Sequence, residues 1–590
     1  MAEPLEIAVL IKQIPNFEDF TLTTDGRLQR DGVPLGMNPY CRRAVTKGIE
    51  LAREFGGSCT VFTLGPESAS EVLREAIACG AGSGILISDD AFAGSDTLAT
   101  ARALAVAVKR ESTFDVILVG RNSVDAETGQ VGPAVAELLG YPFLCAVREL
   151  IMTNGGLRVR CERDDGWAEA EVAPPAVLAV AERLCAPAKA APDVCGAVSA
   201  SRIRVVTATE LGSGPWGFAG SLTRVGEVRA TTTSRDRKIL TGPLAQQVYE
   251  LASVLRDRGV LDGAPQQLSG QVNATSRAGE LTVAVLLEPG RERLNRELCG
   301  GAASLAAEIE GKVAALSAFR DDTARLGSWG IDENIVFADA SNAEDLAKAA
   351  GEWAQATAPW AILAPGTLWG REAAGRLAAR LNVGLTGDAI ELSVEKSRLI
   401  AWKPAFGGQC VAAIHASSPI QMATVRPGAL ALLKPRNALA DVTCRAATGR
   451  SRIKTLAEER DDDIDILANA NVVVGIGTGV APEDYGALNP LTERLGAELA
   501  ATRKVTDRGW LPRARQLGIT GIAISPRLYV AIGLSGKFNH AVGIRGAGTV
   551  VAINDDPDAP IFDFSDIGII GDWKQVVPLL ETALAGDDQS

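Results

Sequence analysis

Five short stretches toward the end of the sequence set glycines and small polar residues directly after apolar, strand-like runs. They are VVVGIGTGV (472–480), LGITG (517–521), YVAIGLSGKFNHAVGI (529–544), TVVAINDDPDAPIF (549–562) and GIIGDW (568–573). A glycine turn after a strand lets backbone amides approach a phosphate, helped by the N-terminus of the helix that follows. In an open parallel sheet, ligands bind at the carboxyl ends of the strands. Thr520, Ser535, Gly536, His540, Asn554 and Asp572 are therefore expected to converge on one crevice. His540 is one of only two histidines in the chain. The other, His415 in CVAAIHASS, reads as a structural residue of an alternating strand. A further turn, NSVDAETGQVGP (122–133), follows the strand-like VILVG, and taken alone it is compatible with an ordinary helix start capped by Asp125.

Such turns need a sheet to present them. Residues 5–11, 60–64, 84–88 and 116–120 are apolar β-rich runs, separated by helix-like segments such as 43–55 and 68–78. This alternation predicts an α/β fold with a parallel sheet covered on both faces and right-handed crossovers. The pattern stops near 176–181. Residues 186–230 read as an extended arm, followed by a helix over 243–257 and a polar, turn-rich linker at 262–280. Alternation restarts at 281–287, 312–319, 335–338 and 361–364, and the charged patch EERDDDID (458–465) precedes a third unit that begins at 472–475. The expected organisation is 1–261, linker 262–280, 281–457 and 458–590, three parallel-sheet α/β units of which the last is doubly wound. The layout resembles two polypeptides joined end to end.

A chain of 590 residues exceeds one core. A net charge of -13 disfavours nucleic acid and anionic membranes as partners. No apolar run is long enough to span a bilayer, and MAEPLEIAVLIKQIP does not read as an export signal, so a cytoplasmic location is expected. Ten scattered cysteines contain no CxxC pair, so neither zinc nor iron–sulfur sites are expected and the thiols read as reduced and structural. Trp369 and Trp402 read as packing residues, and 461–463 as solvated linker.

Several stretches carry a family resemblance. ATRKVTDRGW (501–510), GLSGKFNH (533–540) and VAINDDPDAPIF (551–562) closely resemble the FAD domain of the α subunit of electron-transfer flavoproteins. LAPGTLWGREAAGRLAA (363–379) and TVRPG (424–428) resemble the first domain of that subunit. LEIAVLIKQIP (5–15), MNPYCRRAV (37–45), VGRNSVDAETGQVG (119–132) and the arm resemble the β subunit, so the whole resembles a β–α fusion.

The resemblance implies that His540 donates to the flavin O2, where charge accumulates on reduction, and that such a donor stabilises the reduced ring. It implies that Thr520 reaches the N5 region and that Arg503 sets a fixed positive charge beside the ring. Ser535, Gly536, Asn554 and Asp572 would hold ribityl, pyrophosphate and adenosine. Gly477, Thr478, Thr502, Gly521 and Asn539 complete the implied FAD-binding set. In the first half the loop would cradle the phosphate of an AMP, or part of a second FAD as in electron-bifurcating members, through Asn38, Asp125, Gln130 and Val131. AMP is favoured because no additional flavin-ring contacts stand out.

Two departures from the family pattern bear on the cofactor: Thr478 stands where the glycine turn usually carries an arginine, and Ile519 where a glutamine is usual. The function implied is that of an electron carrier rather than a substrate-converting enzyme. It would take electrons from a flavin dehydrogenase and pass them to a quinone oxidoreductase. The alternatives are an electron-bifurcating protein using NADH and two FAD, or a nucleotide-binding sensor without redox function. The family's partner-anchoring loop, which often carries a leucine, corresponds to PAKAAP (187–192), with Ala191 in roughly the leucine's place. That points to a dedicated donor of the amine or N-methyl amino-acid dehydrogenase type.

Overall fold

The computed structural model describes residues 4–15, 34–153, 156–187, 189–230, 235–261, 268, 270–276, 279–405, 410–447, 451–460, 464–518 and 521–585. They fall into two compact units, one made of Met1–Ala230 and Ser269–Glu459, the other of Thr231–Leu268 and Arg460–Ser590.

The first unit holds two large sheets. One has ten strands in the order Ile203–Val206, Ser83–Ile87, Ser58–Leu64, Glu6–Leu10, Val116–Gly120, Ala176–Val180, Phe143–Thr153, Gly156–Arg163, Gly166–Val172, Ile453–Arg460. It is parallel through Phe143–Thr153. Two hairpins then turn it antiparallel, an addition that the alternation of strands and helices does not predict. The other sheet has seven strands, all parallel, in the order Leu385–Ala389, Gln421–Val425, Ala361–Pro365, Thr282–Leu286, Lys312–Ser317, Glu333–Phe337, Asp441–Arg445. Its central strands are buried along their whole length, as parallel strands covered on both faces must be. The arm ends as the strand Thr223–Ala230, which pairs antiparallel with Cys410–Ala416 in a separate four-stranded sheet. Asp96, the cap of helix Thr97–Glu111, ties the arm down by accepting from the backbone N–H groups of Leu222 and Thr223 at 2.7 and 2.9 Å. Trp402 packs in this sheet under the Arg229 guanidinium, 3.8 Å from its ring centroid.

Helices Val131–Leu139 and Leu368–Leu381 pack together around Arg376, which is fully buried. Its guanidinium lies 3.3 Å from Glu137, 3.6 Å from Glu344 and 3.5 Å from Glu372. Burial pushes the Glu372 carboxyl up to about 7, against the pull of Arg376. Burial also pushes Glu288, which accepts from Thr367 Oγ1 at 2.7 Å, up to about 8. A carboxyl raised on folding binds its proton more tightly in the folded chain. Its contribution to stability is therefore full below the ordinary carboxyl range and is lost as pH rises through 7 to 8. Glu288→Gln is accordingly expected to lessen the loss of stability between pH 6 and pH 9 by on the order of 1–3 kcal/mol, read from thermal unfolding of variant and wild type across that range.

The second unit is a six-stranded parallel sheet ordered Lys238–Ile239, Ile567–Ile570, Thr549–Asn554, Leu528–Ile532, Val472–Ile476, Glu498–Ala501. The helix expected over 243–257 forms as Leu244–Asp257 and packs on the terminal helix Trp573–Ala585. Residues 235–261 thus belong to the same compact unit as the last sheet. Among the described residues no helix is long and apolar enough to cross a membrane.

Candidate functional site

The register of the last sheet brings the glycine turns into one row. Ile476 pairs with both Ala501 and Ile532, Ile532 with Ile553, and Asn554 with Ile570. The next residue of four of these strands is held to its neighbour by a backbone bond: Gly477 N–H donates to Ile532 at 3.1 Å, Thr502 to Ile476 at 3.0 Å, Gly533 to Ile553 at 3.0 Å and Gly571 to Asn554 at 2.9 Å. Gly477, Thr478, Thr502, Arg503, Ser535, Gly536, Asn554 and Asp572 therefore share the carboxyl edge of one sheet.

Each has a distinct setting. Thr478 and Ser535 are exposed. Gly536 is buried with φ +67, and a Cβ there would lie 2.4 Å from Ile561 Cα, so only glycine fits the turn. Asn554 spends its side chain on the loop itself, donating to the Leu534 carbonyl at 2.8 Å and accepting from Asp556 N–H at 3.0 Å. Asp572 accepts from Lys574 N–H at 2.9 Å at the start of the terminal helix. Arg503 opens the short helix Arg503–Asp507 and pairs with Asp507 at 3.1 Å, both half exposed. Gly521 packs against the Gln516 carbonyl beside the strand ends. Thr520 and Ile519 lie outside the described residues, as does the side chain of Asn539.

His540 sits in helix Phe538–Ile544 and is 6% exposed. Its Nε2 lies 2.8 Å from the Tyr529 hydroxyl, while its Nδ1 has no hydrogen-bond partner of good geometry among the described residues. Burial pushes the imidazole down to about 4, with the Leu517 carbonyl opposing, so it is neutral at ordinary pH. Two exposed hydroxyl-bearing residues at the glycine turns of one sheet edge, and a neutral imidazole whose Nδ1 lacks a partner of good geometry among the described residues, fit a dinucleotide cofactor whose ring needs a donor.

The loop after Val116–Gly120 forms a second cluster. Asn38 is buried just ahead of helix Pro39–Glu54 and bridges the loop, donating to the Asn122 carbonyl at 2.9 Å and accepting from Val124 N–H at 3.3 Å. Asp125 does not cap the following helix. That helix starts at Val131 after Gln130, and Asp125 instead pairs with Lys12 at 2.6 Å. Burial alone would raise Asp125, but the Lys12 charge together with hydrogen bonds from Lys12 and Ser123 outweighs it and holds the carboxyl low. Gln130 accepts from Thr97 Oγ1 at 2.7 Å. Asn122 Oδ1, Asp125 Oδ1, Glu127 Oε1 and Gln130 Nε2 are buried and unpartnered among the described residues. Four unpaired polar atoms within nine residues fit a polar ligand better than a finished core.

The sequence reading missed what supports this loop. Lys403 Nζ donates to the Ala126 carbonyl at 2.6 Å, and Asp388 accepts from Arg426 Nε at 3.1 Å and from Arg371 at 3.4 Å. Glu127 is raised by burial and then by Asp388. Arg371 and Arg426 stand in the quoted stretches 363–379 and 424–428, but their spacing gave no sign of a shared partner.

The electron transfer flavoprotein domain matches residues 25–210 and again residues 286–458, and the electron transfer flavoprotein FAD-binding domain matches residues 466–545. The chain belongs to the electron-transfer flavoprotein family. It is 37% identical over 251 residues to electron transfer flavoprotein subunit alpha of Thermoanaerobacterium thermosaccharolyticum, covering 40% of this chain and 74% of that one. It is 34% identical over 263 residues to the subunit beta of the same organism, covering 44% of this chain and all of that one. Protein FixB of Rhizobium meliloti is 37% identical over 246 residues, covering 40% of this chain and 70% of its own. Both subunit types of the family are therefore represented in one polypeptide, and its last domain is of the FAD-binding class.

Proposed function

We propose that the protein is a flavin electron carrier with one FAD in the last unit and one AMP at the loop 122–131. It would accept electrons from a partner flavin dehydrogenase and deliver them to a quinone-linked acceptor. On this reading residues 1–261 are the β-subunit-like part, 262–280 the junction, and 281–457 and 458–590 the two domains of the α-subunit-like part. The observation that carries the reading is the row of strand ends at Gly477, Thr502, Gly533 and Gly571, with His540 Nδ1 unpartnered close by in the fold. FAD, when bound, supplies the one- and two-electron chemistry. The chain's own part is to bind and orient. Thr478, Ser535 and Gly536 hold phosphates and ribityl, Asn554 fixes the loop that carries them, and Asp572 sets the terminal helix on the adenosine side. Thr502 would place Arg503 beside the ring, Thr520, Gly521 and Asn539 would add cofactor contacts, and His540 would donate where negative charge gathers. Asn38, Asp125, Gln130 and Val131 hold the AMP.

Flavin and nucleotide content per chain tests this. The purified protein is expected to be yellow, with one FAD and one AMP released from each chain. Two FAD would sink the reading in favour of electron bifurcation, and a colourless protein would favour the sensor.

Partner choice follows from the arm. Ala191 is exposed and precedes the short helix Pro192–Gly196. A leucine buried in a partner's pocket supplies roughly 1.5–3 kcal/mol, and interface affinity concentrates in such anchors. The protein is therefore expected to be reduced slowly by a medium-chain acyl-CoA dehydrogenase and faster by a dedicated amine or N-methyl amino-acid dehydrogenase. Stopped-flow mixing with each reduced dehydrogenase decides it, and rapid reduction by the acyl-CoA enzyme at micromolar concentrations contradicts it.

A further inference from the structure

We infer that Tyr529 is a positioning residue that fixes the tautomer of His540, placing its one N–H proton on Nδ1. The inference deepens the reading of His540 as a donor to the flavin and, for its functional consequence, rests on it. Tyr529 is the second residue of the central strand Leu528–Ile532, where nothing in the sequence distinguishes it from core. Its side chain is fully buried, and the bond to His540 Nε2 at 2.8 Å is the hydroxyl's one hydrogen bond among the described residues.

A phenol carries a single proton, and burying it without an acceptor is costly. The tyrosine O–H must therefore donate to Nε2, which makes Nε2 the unprotonated nitrogen. A neutral imidazole has one N–H, so it is on Nδ1. The low proton affinity that burial imposes on His540 keeps the ring in this neutral form. Tyr529 is itself pushed well above the usual phenol range by burial, so it stays a donor. The neighbouring strand makes room for the pair. A Cβ at residue 475 would lie 1.6 Å from the Tyr529 hydroxyl, so Gly475 is the residue that lets the phenol reach the histidine. Gly475, the phenol and the imidazole thus form a chain that ends in a donor at Nδ1.

The chain's two histidines make the test direct. Protein labelled with 15N-histidine and purified with its flavin gives two imidazole signals, and His415→Gln assigns them. Solid-state 15N NMR should show His540 in the Nδ1–H form. Tyr529→Phe, which keeps the ring volume, should shift its tautomer ratio by roughly two- to tenfold toward Nε2–H and move the flavin potential in the same direction as His540→Ala. Gly475→Ala, which displaces the hydroxyl, should reproduce the tautomer shift. An Nε2–H form in the wild type overturns the inference, as does a tautomer ratio that responds to neither variant. A tautomer that responds while the potential responds to none of the three variants supports the positioning role and overturns instead the assignment of His540 to the flavin.

Discussion

Arg376→Ala is expected to cost about 3–5 kcal/mol of stability in the first unit, the typical consequence of removing one partner from a buried ion cluster. Arg376 is the cation that faces Glu137, Glu344 and Glu372 at 3.3–3.6 Å, and it is fully buried. Arg380 also reaches Glu137, at 2.5 Å, but from the outer edge. Without Arg376, Glu372 loses the main charge that opposes its burial, and it must take up a proton or unfold its surroundings. The loss should therefore be smaller at pH 5 than at pH 8. Arg376→Lys should rescue little, because a single ammonium cannot serve three carboxylates on different sides as a guanidinium does. Denaturant midpoints at the two pH values measure this. A loss no larger than an ordinary surface substitution, about 0.5 kcal/mol, would show that the cluster does not hold the two helices together.

His540→Ala should lower the reduction potential of the bound flavin by an amount equivalent to roughly 1.5–3 kcal/mol, the worth of a hydrogen bond to a charged acceptor. The imidazole is neutral, held down to about 4 by burial. Its effect is that of an aimed dipole rather than a full charge, so the shift belongs at the lower end of the range and should not change between pH 6 and pH 8. Redox titration of a variant that retains flavin reads it directly. An unchanged potential in such a variant would remove His540 from the ring.

The sequence made the parallel sheets legible because a strand buried on both faces must be continuously apolar. Val116–Gly120 and Val472–Ile476 show this in every residue. The hairpins over Phe143–Val172 were not legible, because their faces differ. Gly166–Val172 alternates only partly between buried and half-buried positions, and the pattern is diluted by Trp167 and two glutamates. The row of turns was legible because glycine after a strand has few other reasons to recur in order. Tyr529 was not, since a tyrosine inside an apolar run reads as core until its neighbour across the helix is known. The support under the N-terminal loop was hidden for a different reason. Lys403 meets Ala126 across 277 positions of sequence, and no local pattern encodes a contact of that span.

Those long spans have a consequence for how the chain is made. The strand Gly166–Val172 is covered at its outer edge by Ile453–Arg460, so 280 residues lie between the end of one and the start of the other. At a synthesis rate of roughly 5–20 residues per second, the edge waits about 15–60 s before its partner leaves the ribosome. Through that interval it presents unpaired N–H and C=O groups, the template on which foreign strands pair. If the covering strand belonged to a separate polypeptide, the wait would depend on a collision in a crowded cell. Carried on the same chain, it ends on a schedule set by translation, with one closing strand delivered for every open edge.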